Sequence, residues 1–490
     1  MKSLGIDIGS SSAKAALLDT ESGKCLCSAS SPDTEMPITA LAPGWAEQNP
    51  ELWWKHVCES ILKIKEQYSL ADVRSIGITY QMHGLVCLDK NGSPVRDAII
   101  WCDSRAVDIG RDAMERLGRE RCLSHLLNSP GNFTASKLAW VIRNEKENFL
   151  KTASFFLPGD YIAYRLSGDI HTTETGLSEQ ILWDFREGRR ADFVADFYGI
   201  PHELIPDTVP SVGIQTVTDA AAQILFGIPA GTPISYRAGD QPNNAFSLNV
   251  LDPGEIAATA GTSGVVYGVT DIPEADPLSR VNTFVHVGHT AGHPRYGILL
   301  CINGAGIMNA WVRRHFAPGM DYNSLNFLAA TAPAGSDGIC VVPFGNGAER
   351  MLGNIRTGAS VSGLDLNRHG LAHILRATQE GIACSFRYGI EIMKGMGLKP
   401  DIIRAGKANL FLSPLFRQTL ATITGARIEL YDTDGALGAA RGAALGAGLY
   451  KSREETFASL AKTEEVTPRE EEREMLEECY RNWKNHATNI

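Results

Sequence analysis

The sequence predicts an α/β protein with two similar domains that face each other across a cleft. Near the N-terminus, apolar residues flank a Gly-Ser-Ser-Ser turn, as in a β-hairpin. The same order of strand, small hydroxylated turn and strand returns at 255–269, and an internal echo of this kind indicates a duplication. The chain of 490 residues is long enough for two domains of roughly 240 residues each.

Composition restricts the partners that the chain can have. Hydrophobic residues make up 44% and charged residues 21% of the sequence, as in globular proteins. The formal net charge of −10 argues against nucleic acid or an anionic membrane as the main partner. No apolar run reaches the ~20 residues that span a bilayer. We expect no signal peptide, because the first strand already begins at Leu4.

The ten cysteines form no C-x-x-C pair and no Cys/His cluster, and most lie in apolar runs. We expect buried, reduced thiols, which are typical of a cytoplasmic protein.

The first hairpin ends in polar residues. Asp7 closes its first strand, the turn Ser10–Ser12 follows, and Lys14 lies on the second strand. A helix is predicted to begin at Pro50, because Asn49 suits the N-cap and proline suits the first helical position.

Polar side chains follow two predicted strands, at 73–79 and 98–101. Ligands in open α/β sheets bind beyond the carboxyl ends of strands, so these side chains are candidates for a substrate wall. They suit an uncharged polyhydroxylated ligand, because each hydroxyl both donates and accepts hydrogen bonds. Taken alone, His83 is more often a structural turn histidine than a ligand. The wall consists of Gln81, His83, Trp101, Asp103 and Arg105.

The stretch from Tyr236 to Gly264 organises the chain. Asp240 follows an apolar strand in a Gly-Asp turn, and the later turn Gly261–Gly264 can offer backbone N–H groups and two hydroxyls to an anion. Asp240 is therefore a candidate base and the second turn a candidate phosphate cradle. A Gly-Asp turn on its own is an ordinary connection.

Three further segments give predictions of packing. In the helix that begins at Thr134, Leu138 is expected to face inward, while Lys137 is either solvated or helps to shape the site. The small residues of 435–448 predict a helix packed closely against a neighbour. Residues from Lys451 onward are predicted to be helical and solvated.

Together these motifs resemble the FGGY family of carbohydrate kinases, part of the superfamily that includes actin and the heat-shock ATPases. The resemblance extends from Leu4 to about Gly448. It is carried by Trp45-Ala-Glu-Gln-Asn-Pro-Glu-Leu-Trp53-Trp54, Gln81-Met82-His83-Gly84, Trp101-Cys-Asp103-x-Arg105, Thr134-x-x-Lys137-Leu-x-Trp140, Gly239-Asp240, Gly261-Thr-Ser-Gly264 and Ser362-Gly363-Leu364. The chain departs from the family pattern where Pro242 follows Asp240-Gln241, and where Arg404-Ala405-Gly406-Lys407 replaces the usual glycine-rich adenosine loop.

The resemblance implies two duplicated ribonuclease-H-like domains with a catalytic cleft between them. The predicted limits are 1–246 for a sugar-binding domain that carries the first phosphate loop and the base, 247–450 for a nucleotide-binding domain, and 451–490 for a helical appendage.

The resemblance also implies an ATP-dependent sugar kinase that requires Mg²⁺, converts D-xylulose to D-xylulose 5-phosphate and is a monomer or homodimer. Asp240 would be the general base, and Asp7 would hold Mg²⁺, in part through water. The sugar would be bound by Gln81, Met82, His83, Trp101, Asp103, Arg105 and Gln241. ATP would be bound by Ser10, Ser11, Ser12, Lys14, Gly261, Thr262, Ser263, Gly306, Asn309, Ala405, Gly406 and Asn409.

Other functions stay open. A sister kinase would act on ribulose, sedoheptulose, gluconate or glycerol, although the sequence offers no obvious extra cationic cluster for a gluconate carboxylate. A non-catalytic nucleotide-dependent sensor would be favoured if Asp240 were missing or a DNA- or peptide-binding domain were attached. A purely structural α/β protein is disfavoured by the order of the matched motifs.

Overall fold

The computed structural model describes residues 1–488. Its strands are β1 Lys2–Ile8, β2 Ala13–Asp19, β3 Cys25–Ser31, β4 Glu47–Gln48, β5 Val73–Tyr80, β6 Val86–Leu88, β7 Ala98–Ile99, β8 Ser154–Phe156, β9 His171–Thr173, β10 Trp183–Asp184, β11 Arg189–Arg190, β12 Asp207–Val209, β13 Val212–Val217, β14 Pro233–Gly239, β15 Ile256–Ala260, β16 Gly264–Thr270, β17 Asn282–Val285, β18 Tyr296–Ile302, β19 Cys340–Val342, β20 Ser360–Ser362, β21 Ile402–Gly406, β22 Arg427–Tyr431 and β23 Lys462–Val466. Its α-helices are α1 Pro50–Lys65, α2 Val107–Leu117, α3 Arg119–Arg121, α4 Thr134–Asn144, α5 Lys146–Lys151, α6 Pro158–Ser167, α7 Glu174–Glu179, α8 Asp192–Tyr198, α9 Ala220–Phe226, α10 Asp240–Ser247, α11 Gly306–Phe316, α12 Tyr322–Ala329, α13 Leu371–Gly395, α14 Pro414–Thr424, α15 Gly435–Gly446, α16 Arg453–Phe457 and α17 Glu470–Thr488.

Two large sheets have the same plan. In the first, the strand order is β13-β14-β5-β1-β2-β3; in the second it is β17-β18-β16-β15-β21-β22-β23. Each contains a meander of three antiparallel strands, β1-β2-β3 or β15-β16-β18, and two further strands parallel to its first strand, β5 and β14 or β21 and β22. The predicted α/β fold with two duplicated domains is confirmed.

Both predicted hairpins are present. In the first, Asp7 lies opposite Lys14, so the polar turn projects from the ends of β1 and β2. In the second, Ala260 lies opposite Gly264 across the short turn between them. α1 begins at Pro50 as predicted, and the Asn49 side chain accepts a hydrogen bond from the N–H of Glu51.

The small-residue helix α15 packs against the first sheet, although its residues fall within the limits predicted for the second domain. The Ser3 hydroxyl donates to the carbonyl of Ala440 at 2.7 Å, and the Ser235 hydroxyl donates to that of Ala443 at 2.8 Å. A Cβ at Gly5 would lie 1.8 Å from a carbonyl oxygen of α15, so only glycine permits this contact. The chain thus returns to the first sheet at α15.

The C-terminal segment is not the solvated helix that we expected. β23 pairs with β22 at the edge of the second sheet. On α17, Leu476, Tyr480 and Trp483 are buried in the core of the second domain. One face of α17 is therefore part of this core, because these three apolar residues recur at helical spacing.

The cysteines match the expectation only in part. All ten are free thiols, but only four are buried, and Cys25 and Cys102 are exposed. Among residues 1–488, no helix is both long enough and apolar enough to cross a membrane.

Candidate active site

Two carboxylates lie at the ends of the parallel strands β1 and β14, which flank β5 in the first sheet. Asp7 is on β1, and Asp240 is the first residue of α10, directly after β14. Burial raises the pKa of Asp240 to about 6. Burial and the charges of Asp240 and Asp434 raise the pKa of Asp7 to about 7. The two carboxylates therefore form an acidic pair that resists full ionisation in the absence of a cation.

Asp434 completes this acidic group, and sequence reasoning missed it. Its carboxylate caps α15 by accepting from the N–H of Leu437, and it accepts from Lys14 Nζ at 2.7 Å. Lys14, expected to bind ATP, is thus paired with an aspartate from the other half of the chain. The signal was present in the sequence as an aspartate immediately before a small-residue helix.

The oxygen-rich surroundings of Asp7 fit Mg²⁺. The Asn243 Oδ1 atom is buried without a partner among the described residues, and Asn243 Nδ2 donates to the Gly435 carbonyl beside Asp7. No cluster of three or more His, Cys, Asp or Glu side chains within residues 1–488 is arranged to hold a metal by itself. This suits Mg²⁺, which binds to one or two carboxylates and takes its other oxygens from water and substrate phosphates.

A hydrogen-bond chain joins the first turn to the predicted substrate wall. Gln81 Nε2 donates to Gln48 Oε1 at 3.3 Å, and Gln48 Nε2 donates to the carbonyl of Ser10 at 2.7 Å. The Trp53 indole N–H also donates to Gln48 Oε1. Gln48 was not predicted as a site residue, and it fixes both the turn and the wall.

His83 has a strained backbone and a neutral ring. Its φ is +62°, in the left-handed region that non-glycine residues seldom adopt. Nδ1 lies 2.9 Å from the Glu179 carbonyl and so carries the proton, which leaves Nε2 as an acceptor. The ring packs between Phe133 and Phe284, with centroids 4.9 and 5.4 Å away. Burial and the charge of Lys137 lower the pKa of His83 to about 3.

The other wall residues differ in what they present. Trp101 is 44% exposed, so one face of its indole is open. Met82 packs on Gly239, where an added Cβ would lie 2.5 Å from Met82 Cγ. The Gln241 side chain hydrogen-bonds to Asp240, which partly offsets the effect of burial on the pKa of Asp240.

Asp103 and Arg105 do not present free polar groups, contrary to our prediction. Asp103 is fully buried and accepts from the Ala46 N–H and from the Arg105 guanidinium. Arg105 is also paired with Glu47 at 2.6 Å and stacks on Trp45 at 3.9 Å. The two residues are a buried ion-pair cluster behind the wall, because their hydrogen-bonding groups are taken up within the protein.

A cavity of about 650 Å³ lies beside the second turn. Five of the residues predicted to bind ATP line it: Gly261, Thr262, Gly306, Asn309 and Asn409. Ala405 is fully buried within β21 and, like Gly406 and Ser263, does not line the cavity. The cavity is also lined by residues that we did not predict: Ala260, Ile307, Ala310, Arg313, Arg314, Tyr322, Asn323, Asn326, Leu410, Leu412 and Ser413. Of these residues, the sequence could have indicated only Arg313, because it follows Asn309 by one helical turn.

The second turn is oriented by α11. The N–H groups of Gly306 and Ile307 donate to the carbonyls of Gly261 and Thr262, both at 3.0 Å. Because the turn's carbonyls face the helix, its own N–H groups can face the cavity. A cavity of this size beside a turn that contains glycine, together with a buried acidic pair and a polar wall, is typical of an enzyme that transfers phosphoryl groups.

Comparison with known proteins agrees with this class. The models for the N-terminal and C-terminal domains of the FGGY family of carbohydrate kinases match residues 3–247 and 256–449. The chain belongs to this family and is a carbohydrate kinase, a phosphotransferase that acts on a sugar with ATP.

Individual relatives agree over nearly the whole chain. A xylulose kinase of Bacillus subtilis is 30% identical over 466 residues, covering 92% of this chain and 89% of its own. The ligand-bound xylulose kinase of Lactobacillus acidophilus has a TM-score of 0.90 at 22% identity, covering 100% of this chain and 98% of its own. The gluconate kinase of Lactobacillus acidophilus has a TM-score of 0.89 at 22% identity, with coverage of 99% and 97%. Both structures show a shared fold.

Proposed function

We propose that this kinase phosphorylates D-xylulose to D-xylulose 5-phosphate, with Mg-ATP as the donor and Asp240 as the general base. The observation that carries this proposal is the position of Asp240, a carboxylate with a raised pKa beside Met82 and the wall around His83. A base with a pKa near 6 is mostly ionised at neutral pH and can accept a proton from a hydroxyl.

The reaction needs no covalent enzyme intermediate. The attacking sugar oxygen forms a bond to the γ-phosphorus as the bond to the ADP oxygen breaks, and the hydroxyl proton passes to the Asp240 carboxylate. Asp7 would hold Mg²⁺, which neutralises phosphate charge when bound. The turns at Ser10–Ser12 and Gly261–Gly264 would surround the phosphates, and the cavity of about 650 Å³ would take the nucleoside.

A neutral ketose suits the wall. Nε2 of the neutral His83 ring accepts a hydrogen bond from a hydroxyl, and the exposed face of Trp101 covers C–H groups of the sugar. Two cations near the wall are occupied: Arg105 pairs with Asp103, and Lys137 donates to two backbone carbonyls. Neither of these two is free to pair with a substrate carboxylate.

Arg350 favours a second candidate, a sugar acid such as gluconate. Its Nε atom donates to the Ser279 carbonyl at 2.9 Å, and within residues 1–488 no carboxylate pairs with it. Its charge contributes to the lowered pKa of His83, so it lies near the wall. Burial lowers the pKa of Arg350 to about 10, and it therefore stays charged at neutral pH.

A panel of acceptors decides between these candidates. ADP release would be followed with D-xylulose, D-ribulose, sedoheptulose, glycerol and gluconate, and ³¹P NMR would identify each product. We expect the highest kcat/KM with D-xylulose. Asp240→Asn is the matched control and should lower turnover by about 10²–10⁴-fold while ATP still binds. A kcat/KM at least about tenfold higher for another acceptor would replace xylulose with that substrate.

A further inference from the structure

Lys137 is a buried cation in an unfavourable place. Its side chain is 0% exposed, and it lies in the first turn of α4, where the helix dipole disfavours positive charge. In the described part of the chain no carboxylate lies within ion-pair distance of its ammonium group, and burial lowers its pKa to about 7. A buried cation without a carboxylate partner is unfavourable for stability, so the contacts of its ammonium group are candidates for a functional role.

Its hydrogen bonds show what it holds. Nζ donates to the His83 carbonyl at 2.7 Å and to the Ile100 carbonyl at 3.0 Å. The first carbonyl belongs to the strained turn after β5, and the second precedes Trp101 just after β7. One ammonium group thus joins the two segments that carry the imidazole and the indole of the wall.

The rest of the α4 N-terminus supports the same turn. The Thr134 hydroxyl donates to the Gly84 carbonyl at 3.2 Å, and the Phe133 ring packs against His83. Irregular turns leave carbonyls that the backbone ladder does not satisfy, and unpaired buried carbonyls are costly. Lys137 and Thr134 supply the missing donors on one side of the turn.

We propose that Lys137 is a positioning residue for sugar binding, and that its ammonium group sets the separation between His83 and Trp101 by holding both backbone segments. This inference rests on the proposed binding of the sugar at His83. In this role Lys137 would contact neither the sugar nor ATP. It acts through the backbone of the wall.

The test compares Lys137→Met with Lys146→Met, an exposed lysine on the next helix. Methionine keeps the volume of the buried chain but donates no hydrogen bond. We expect Lys137→Met to lower kcat/KM for the best sugar by about 10–100-fold, mainly through KM. The KM for ATP and the hydrolysis of ATP without sugar should change by less than about threefold. Lys146→Met should behave as wild type.

Chemical rescue separates positioning from general stability. Lys137→Ala leaves room for a small amine. Adding propylammonium should therefore raise the sugar kcat/KM of this variant by at least about tenfold. Tetramethylammonium has the charge but no N–H donor and should not. If Lys137→Met does not fold, two other measurements still test the positioning role of Lys137. One is the rescue by propylammonium, and the other is Thr134→Val, which we expect to raise the KM for the sugar alone. A variant with a lower Tm but unchanged sugar kinetics overturns the inference.

Failure of the inference differs from failure of the proposed site. If His83→Ala leaves the sugar KM unchanged, the sugar does not bind at the wall and the proposed function's geometry is wrong. If His83→Ala raises the sugar KM and Lys137→Met does not, only the role of Lys137 is wrong.

Discussion

At the scale of single residues, the site is defined by carboxylates that the fold holds out of water. Asp7 on β1 and Asp240 directly after β14 lie on either side of β5, and each has a raised pKa. A buried carboxylate that must ionise for function lowers the stability of the free enzyme. The predictions for these two residues follow from that balance.

The pH dependence of sugar turnover should report Asp240. The base acts only as a carboxylate, so a pKa raised to about 6 makes kcat/KM for the sugar fall as pH decreases through about 6. The sugar is neutral and does not titrate in this range, and Mg-ATP would be kept saturating. ADP would be measured directly by chromatography, without coupling enzymes. An acid limb near pH 4, the ordinary range of aspartate, would show that Asp240 is not the perturbed base.

Asp7→Asn should stabilise the metal-free protein at neutral pH. Because the folded pKa of Asp7 is raised to about 7, the native state binds more protons than the unfolded state from about pH 4 to 7. The wild type therefore loses stability as pH rises through this range, and the asparagine variant does not. We expect a gain of about 1–3 kcal/mol in unfolding free energy at pH 8.

Urea unfolding in EDTA at pH 8 and pH 4 measures this difference. The gain should become much smaller at pH 4, where the folded wild type is protonated at this position and the unfolded chain is about half protonated. The prediction would be contradicted by a variant that is less stable than wild type at pH 8. It would also be contradicted if the difference in unfolding free energy between variant and wild type were the same at both pH values. Activity should be lost in either case, since Asp7 is expected to hold Mg²⁺.

Some residues of the candidate site could be predicted from the sequence, and others could not, for a physical reason. Asp7 lies near the end of β1, His83 and Asp240 follow β5 and β14, and the ends of parallel strands meet at one edge of a sheet. Whether a polar side chain then faces a ligand depends on its tertiary partners. Arg105 has the right position in the sequence, but Glu47 and Trp45 cover it.

At the scale of elements, the second turn depends on a glycine in the helix beneath it. A Cβ at Gly306 would lie 2.2 Å from the Gly261 carbonyl oxygen, so Gly306→Ala must displace the turn. We expect the KM for ATP to rise by about tenfold or more, with little change in the sugar KM. Steady-state kinetics with each substrate varied would measure both.

Gly292→Ala is the matched control, because nothing lies within 4 Å of a Cβ at that position. It should leave both KM values unchanged. Equal rises in the two KM values for Gly306→Ala would indicate a general disturbance of the fold instead of a local one.

Elements whose limits are set by neighbouring residues in the sequence were predicted correctly. The hairpins and the start of α1 follow from turn residues and caps. The C-terminal segment was misjudged, because its many charges hide the apolar residues at 476, 480 and 483 that pack inward. The place of α15 was also not predictable, since small residues show that a helix packs closely but not against which partner.

At the scale of the molecule, contacts between the two halves converge on the proposed site. Asn128 donates to the Thr283 carbonyl at 2.7 Å and accepts from the Thr283 N–H at 3.0 Å, so it fastens the first half to β17. Next on that strand, Phe284 packs on His83. The charge of Asp240 contributes to the raised pKa of Cys301 on β18. The proposed sugar wall is thus in contact with the sheet that borders the proposed nucleotide cavity.

Sugar and nucleotide should therefore bind cooperatively. The wall belongs to the first half and the cavity of about 650 Å³ to the second, so binding at both favours one closed arrangement. Calorimetric titration of the sugar, and of a non-hydrolysable ATP analogue, each with and without the other, should give the same coupling factor in both directions. ATP hydrolysis without sugar should be slow but measurable, since water enters an open cleft. Independent binding, with identical small-angle scattering of the free and doubly liganded protein, would exclude closure even though the chain is a kinase.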